Sequence, residues 1–247
     1  VKADPTAQAA LLDLQATDST LAQLQHRRKS LPEHTKIAEL QARVTQLDGT
    51  RIEAATAVDD LTRDQRKADA EVELVKTRRA RDEERLASGA ISNPKDLASL
   101  QHELTALERR ITTLEDEELE VMEALEEAQS ALDAFQIELS NVQAELDQTI
   151  AARDAAVAVL DEQIADAESE RAVSAQSVPD DLTNLYDKVR AQYGGLGAAA
   201  LRAKKCEGCR LEINSADLRE LAALPEDEVL RCPECSRILV RTAESGL

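Results

Sequence analysis

Two stretches of this chain contain almost nothing that stops a helix. From Glu33 to Ser88 the only Gly or Pro is Gly49, and from Lys95 to Val178 there is none. Both are rich in Ala, Leu, Glu, Gln and Arg, which lose little side-chain freedom in a helix. Between them stands Ser88-Gly89-Ala90-Ile91-Ser92-Asn93-Pro94. Gly89 suits a left-handed C-cap, Asn93 an N-cap and Pro94 the first helical position after it. The pattern predicts two long helices joined by one tight turn near residues 89–94, a helical hairpin.

Apolar residues repeat as a heptad in both stretches. Ile37, Val44, Val58, Val72 and Leu86 alternate with Leu40, Leu47, Ala54, Leu61, Ala68 and Val75 in the first. The second carries Leu97, Leu104, Ile111, Leu125, Leu132, Leu139, Leu146 and Leu160 against Leu100, Leu107, Leu114, Val121, Ala128, Phe135, Val142 and Ala156. A register kept this long predicts an antiparallel coiled coil. Pro5 to Leu31, with Leu14, Leu21, Leu24 and Leu31 on one face, extends the first arm across a kink at Pro32. Each arm is then 84 residues, about 125 Å at 1.5 Å per residue. Facing residue numbers should sum to about 182. Arg51, Gln65, Arg79, Glu118, Arg153 and Gln163 fall at seam positions. They either fix register and partner choice, or mark a place where the heptad assignment slips by a residue, or mark a soft spot where a partner helix could insert.

One Phe, two Tyr, one Met and no Trp suit a narrow helix–helix seam better than a globule. The net charge of −19 is uneven: residues 1–92 hold 15 Lys/Arg and 16 Asp/Glu, residues 93–197 hold 7 and 24, and residues 198–247 hold 8 and 9. An acidic rod repels phosphate backbones, so any nucleic-acid contact belongs outside it. The run Lys76, Arg78, Arg79, Arg81, Arg85 is either a solvated face paired with Asp82, Glu83 and Glu84 or a surface for an acidic partner. Glu115 to Glu118, with Glu120, Glu123, Glu126 and Glu127, is either a solvated face or a site for a basic protein. No run of 18 apolar residues exists and the first residues lack the apolar core of a signal peptide, so a cytoplasmic protein without membrane contact is expected.

Val178-Pro179-Asp180-Asp181 ends the long helix and opens a short one through Tyr193, capped by Asp180. Tyr186 and Tyr193, seven apart, share its face. Gly194-Gly195-Leu196-Gly197 reads as a flexible boundary. All four Cys follow as two CxxC pairs, Cys206/Cys209 and Cys232/Cys235, with 22 residues between the pairs. Each CxxC can wrap a knuckle around one ion, and two knuckles complete a tetrahedron. Arg210 to Ile213, Glu228 to Arg231 and Ile238 to Val240 read as strands, and Ser215 to Ala223 as a helix capped by Ser215. Four thiolates close the coordination sphere, so one structural Zn2+ is expected, and the ribbon around it should need that metal to fold. Iron in the same cage is the alternative, weakened by the lack of any aromatic after Tyr193.

The candidate contacts for a partner or nucleic acid are Arg202, Lys204, Lys205, Arg210, Arg231, Arg237 and Arg241, clustered around the knuckles. Nine acidic residues share that segment and no aromatic is there to stack on bases. Catalysis finds no footing: His26, His34 and His102 lie along the rod with no convergent nucleophile, no Gly-rich loop cradles a phosphate, and no small-molecule substrate is implied.

A coiled-coil hairpin followed by Tyr186-x3-Arg190 and then CxxC-x22-CPxC-x-Arg-Ile-Leu resembles the bacterial C4-type zinc-ribbon family of coiled-coil proteins, long described as a domain of unknown function. The Ala- and Arg-rich, Lys-poor composition resembles an actinobacterial, mycobacterial member. The resemblance implies binding of protein partners and nucleic acid, with transcriptional or flagellar regulation in some flagellated bacteria, and implies Cys206, Cys209, Cys232 and Cys235 as the metal ligands. The chain departs from the family at Ser236, where Gly is common after the last Cys, so some backbone strain is expected there. The expected fold is mainly α: residues 1–193 a hairpin with a short helix over 180–193, and residues 198–247 a small β zinc ribbon. The expected function is a monomeric, non-enzymatic adaptor for protein partners, the alternative an RNA- or DNA-binding regulator acting through the ribbon.

Overall fold

The computed structural model describes all 247 residues. The helices are α1 (Pro5–Lys29), α2 (Pro32–Ala87), α3 (Pro94–Gln176), α4 (Asp180–Gln192) and α5 (Ser215–Ala223), and the strands are β1 (Ala198–Arg202), β2 (Lys205–Cys206), β3 (Leu230–Arg231) and β4 (Ile238–Val240). The chain divides into two compact units, Thr35–Ile150 and the pair of segments Val1–His34 and Ala151–Leu247.

The Thr35–Ile150 unit is a helical hairpin. Gly89 closes α2 at φ 67°, and the Asn93 side chain accepts from the Lys95 N–H at 3.0 Å to open α3. Both turn residues therefore do what their chemistry suggests. Ile37, Leu40 and Leu146 are buried against one another, with Val44, Val142 and Ile150 around them. The interhelix ion pairs join residues whose numbers sum to 181 for Lys36–Glu145, Arg43–Glu138 and Arg78–Glu103, 187 for Arg79–Glu108 and 191 for Lys76–Glu115, an antiparallel pairing whose sums spread from close to the expected 182 to well above it.

In the second unit the chain does more than kink at Pro32. The Ser30 N–H donates to the carbonyls of His26 and Arg27, Leu31 is non-helical, and Pro32 opens α2 as its first residue, where a missing N–H costs nothing. The seam of α3 also differs from the heptad reading here: Gln163 is exposed while Ile164 is half-buried and Ala167 buried. A one-residue slip carries the polar side chain to solvent.

The sheet runs β2-β1-β4-β3, with β1 and β4 parallel and the outer pairs antiparallel. It acts as a partition. Ala198, Ile238 and Val240 face one core with Leu11, Leu14, Leu182, Tyr186 and Val189. Ala199, Leu201, Leu230 and Leu239 face another, with Cys206, Cys232, Ile213 and Leu218. The alternation of a strand divides these neighbours between the two faces. β1 was not expected, because Ala-Ala-Ala-Leu-Arg favours helix; burial of both faces overrides that propensity. The strand expected at Arg210–Ile213 is absent apart from one bridge between Lys205 and Glu212, and that expected over Glu228–Arg231 shrinks to Leu230–Arg231. α5 is capped by Asn214 rather than Ser215, and α4 by Pro179 without a side-chain bond rather than by Asp180.

Candidate metal centre

The two CxxC segments fold alike. In the first, the Cys206 carbonyl accepts from the Arg210 N–H at 2.7 Å, and the Cys206 N–H donates to the Leu211 carbonyl at 3.1 Å. In the second, the Cys232 carbonyl accepts from the Ser236 N–H at 2.8 Å, and the Cys232 N–H donates to the Arg237 carbonyl at 2.9 Å. The residue after each second cysteine turns left-handed, Arg210 at φ 62° and Ser236 at φ 60°. A side chain strains that backbone by about 1–2 kcal/mol, so the strain expected at Ser236 has a twin at Arg210.

All four thiols are free, and their sulfurs lie within 4.8 Å of one another. Cys206 to Cys235 and Cys209 to Cys232 are each 3.9 Å, too far for a disulfide. A zinc tetrahedron with bonds of about 2.3 Å has S···S edges of about 3.8 Å, so the donor set fits Zn2+ in size and chemistry. Burial pushes the Cys206 and Cys232 thiols up, opposed by N–H groups of Cys209 and Gly208 and of Cys235 and Glu234 that donate to their sulfurs. Burial also pushes the Cys235 thiol up, but the backbone and side chain of Arg237, with the Cys232 and Cys209 thiols, outweigh it and bring it down to about 7. Four thiolates leave no open position, so an ion held here holds structure and binds no substrate.

The seven candidate cations are not all free. Arg202 pairs with Glu207 and Glu244. Arg231 donates to the Ser236 carbonyl. Arg237 donates to the carbonyls of Leu196 and Tyr193 and lies 5.4 Å from the Tyr193 ring centroid. Arg241 gathers carbonyls from the turn after α5, including Glu228 at 2.9 Å and Pro225 at 3.2 Å. Lys204, Lys205 and Arg210 remain exposed without an ion pair. Most of the rod's basic run is likewise engaged: Lys76, Arg78 and Arg79 reach Glu115, Glu103 and Glu108 of α3, and Arg85 reaches Asp82, while Arg81 is exposed without an ion pair. His26, His34 and His102 are exposed.

Sequence reasoning missed a buried polar network that holds the ribbon's sheet against the helices. Asp18 has no exposed side-chain surface, yet pairs with Arg171 at 2.7 Å and Arg190 at 3.2 Å and accepts from the Tyr186 hydroxyl at 2.7 Å. The hydrogen bond to Asp18 raises the Arg171 guanidinium further, against burial. Burial and the neighbouring Asp18 push the Tyr186 phenol well above its ordinary range. One turn earlier, Gln15 accepts from the Gly197 N–H at 2.6 Å and donates to the Gly195 carbonyl at 3.0 Å. The Gly194–Gly197 segment is thus pinned, not loose. Gly194 and Gly195 supply positive φ, and a Cβ on Gly197 would come within 2.9 Å of the Tyr186 ring. The signal was present: Gln15 and Asp18 share the face of Leu11, Leu14 and Leu21, where a polar residue must find partners.

The CT398-like coiled coil hairpin domain matches residues 14–194, and the C4-type zinc ribbon domain matches residues 205–239. Uncharacterized proteins from two strains of Mycobacterium tuberculosis are 36% identical over 241 residues, covering 98% of this chain and 98% of theirs. A Mycobacterium smegmatis structure superposes with a TM-score of 0.82 at 34% identity, covering 98% of this chain and 100% of that one. The CT398 structure from Chlamydia trachomatis shares the fold, with a TM-score of 0.68 at 17% identity over 96% of this chain and 98% of its own. With the ribbon match and the four clustered thiols, the cofactor is one structural zinc. These are structural domains, not known enzymes, and no helix is long and apolar enough to cross a membrane. The chain belongs to the CT398-like coiled coil hairpin family, its hairpin followed by a C4-type zinc ribbon.

Proposed function

We propose that the protein is a monomeric cytosolic adaptor that engages protein partners, with the thiolates of Cys206, Cys209, Cys232 and Cys235 holding the zinc that keeps the ribbon folded. The observation that carries this reading is the fate of the ribbon's positive charge. Four of the seven candidate cations are committed within the protein, Arg202 to carboxylates and Arg231, Arg237 and Arg241 to main-chain carbonyls. Three free cations give a polyanion little to hold. The interhelix ion pairs along the hairpin support pairing within one chain.

The regulator reading keeps one point in its favour: Lys204, Lys205 and Arg210 are exposed beside the first knuckle. If those three alone contacted phosphates, binding would weaken only about 40-fold between 50 and 200 mM salt, from a slope of about −0.9 per contact. The test is capture on the intact protein from native cytosol, with and without nuclease, beside a Cys206→Ser/Cys232→Ser control. Specific proteins should survive nuclease and vanish with the control. Bound RNA or DNA, or proteins lost on nuclease treatment, would replace the adaptor with the regulator.

A further inference from the structure

Midway along the hairpin the apolar seam is interrupted at Gln65, and the surface opens there into a groove of about 460 Å³ lined by Gln65, Met122, Leu125, Glu126, Gln129 and Asp133 among others. A second groove starts at the same Asp133 and passes Gln136, Ile137 and Asn141. Leu119, Met122, Glu126, Asp133 and Ile137 are spaced 3, 4, 7 and 4 residues apart, which sets them on one face of α3. Leu119 is 55% exposed and Ile137 64%. Met122 to Ile137 covers about 22 Å of helix, four turns of a docked partner.

The same face is charged and uncompensated. Between Arg110 and Arg153, α3 holds twelve Asp or Glu and no Lys or Arg. Four of the twelve have cationic partners: Glu115, Glu117, Glu138 and Glu145. Glu118, Glu120, Glu123, Glu126, Glu127 and Asp133 have none. On α2, Arg63 is held by Asp60, and Arg66 and Lys67 make no ion pair. Two carboxyls even meet across the seam: a hydrogen bond that the protonated Glu118 donates to Asp69, with burial and the Asp69 charge, raises Glu118 above its ordinary value, and Lys76 only partly offsets this. Like charges so placed lower the stability of the bare hairpin, and an incoming cation relieves them.

We propose that the α3 face from Leu119 to Ile137 is the docking surface for a basic amphipathic helix. Its apolar edge lies on Leu119, Met122 and Ile137, and its Lys or Arg side chains lie over Glu123, Glu126 and Asp133. This is helix-in-groove recognition, with an unbranched Met at the centre that adapts to different apolar partners. A second copy presents the same negative face and is repelled, as is nucleic acid. The proposal rests on the adaptor reading and names the chemistry of one partner.

The test titrates the zinc-loaded full chain into a fluorescein-labelled 21-residue peptide with Leu at heptad seam positions and Lys elsewhere. A Lys/Gly/Ser peptide of equal charge and no apolar face is the comparison. The amphipathic peptide should bind at least tenfold more tightly and protect amides of residues 119–137 from hydrogen exchange. Met122→Gln/Ile137→Gln should weaken it about tenfold, and Glu123→Gln/Glu126→Gln/Asp133→Asn should weaken it and flatten its salt dependence. Lys204→Ala/Lys205→Ala/Arg210→Ala should leave it unchanged. Equal affinity for both peptides, no binding, or protection elsewhere overturns the docking surface; the exchange map on the unsubstituted chain decides even where a variant fails to fold. If the peptide fails while nuclease-resistant capture through the ribbon persists, the docking surface falls and the adaptor stands.

Discussion

The two units solve the same problem with different means. Every large side chain less than 2% exposed, from Leu11, Leu14 and Tyr186 to Leu201, Ile238 and Leu239, lies in the unit built from Val1–His34 and Ala151–Leu247. In Thr35–Ile150 the best buried are Val72 and Leu114. Two helices alone cover each other along one stripe, so many of their seam residues, such as Val44, Leu125 and Val142, stay half-buried; a sheet with layers on both faces removes side chains from water completely. Full burial brings the second unit the larger apolar contribution and also the obligation to satisfy Asp18, Gln15 and the four thiols. The hairpin has fewer such obligations and leaves its faces open to partners.

Metal removal should separate the units most sharply. Metal binding of about 10–16 kcal/mol underlies the folding of a site of this kind. Because Ala198, Val229, Ile238 and Val240 share a core with Leu11, Leu182 and Tyr186, chelation should cost exchange protection in α1 and α4 as well as in the strands. Residues 35–150 should keep theirs. Continued protection of α1 and α4 in the metal-free protein would mean that the ribbon is independent of the helices it touches.

Asp18→Ala comes next. It removes the carboxylate that pairs with Arg171 and Arg190 and accepts from Tyr186, and breaking a buried pair costs about 3–5 kcal/mol; the residual exposure of both Arg, with Asp187 left to Arg171 and Gln15 left to the Tyr186 hydroxyl, favours the lower end. Urea unfolding of the zinc-loaded chain, followed by exchange in α1 and α4, measures it. A loss under about 1 kcal/mol would mark the network as incidental.

Ser236→Gly should act in the opposite direction. Removing the Cβ at φ 60° relieves about 1 kcal/mol of strain, which a competing chelator would read as roughly fivefold tighter zinc. No change would show that the second knuckle carries no such strain. The smallest effect belongs to the hairpin surface. Arg43→Ala removes an interhelix ion pair in which both side chains are nearly half exposed, and exposed pairs add little, so the thermal midpoint of residues 35–150 should not move measurably. A clear drop would mean that register in the thin seam depends on its charges.

The hairpin was legible in the sequence because its causes are local or periodic. Gly89, Asn93 and Pro94 each have one conformational role, and a heptad needs no knowledge of distant residues. The four cysteines were legible for the same reason, since CxxC spacing fixes a knuckle within a few bonds. At Gln163 a slip was one of the alternatives, and the pattern alone could not choose it because a 3.5-residue repeat drifts against a 3.6-residue helix over so long a run.

Sequence by itself therefore determined the helices, their turn, the metal and the acidic excess of α3, all properties of short segments or of composition. Only the tertiary structure decided that Ala198–Arg202 is a strand, that the Gly194–Gly197 segment is clamped by Gln15, that four of the seven ribbon cations are committed within the protein, and that the acids of α3 border the groove at Gln65. Each joins residues far apart in the chain, or charges whose partners are main-chain carbonyls, and a carbonyl's position is set by the fold rather than by the identity of the residue that carries it.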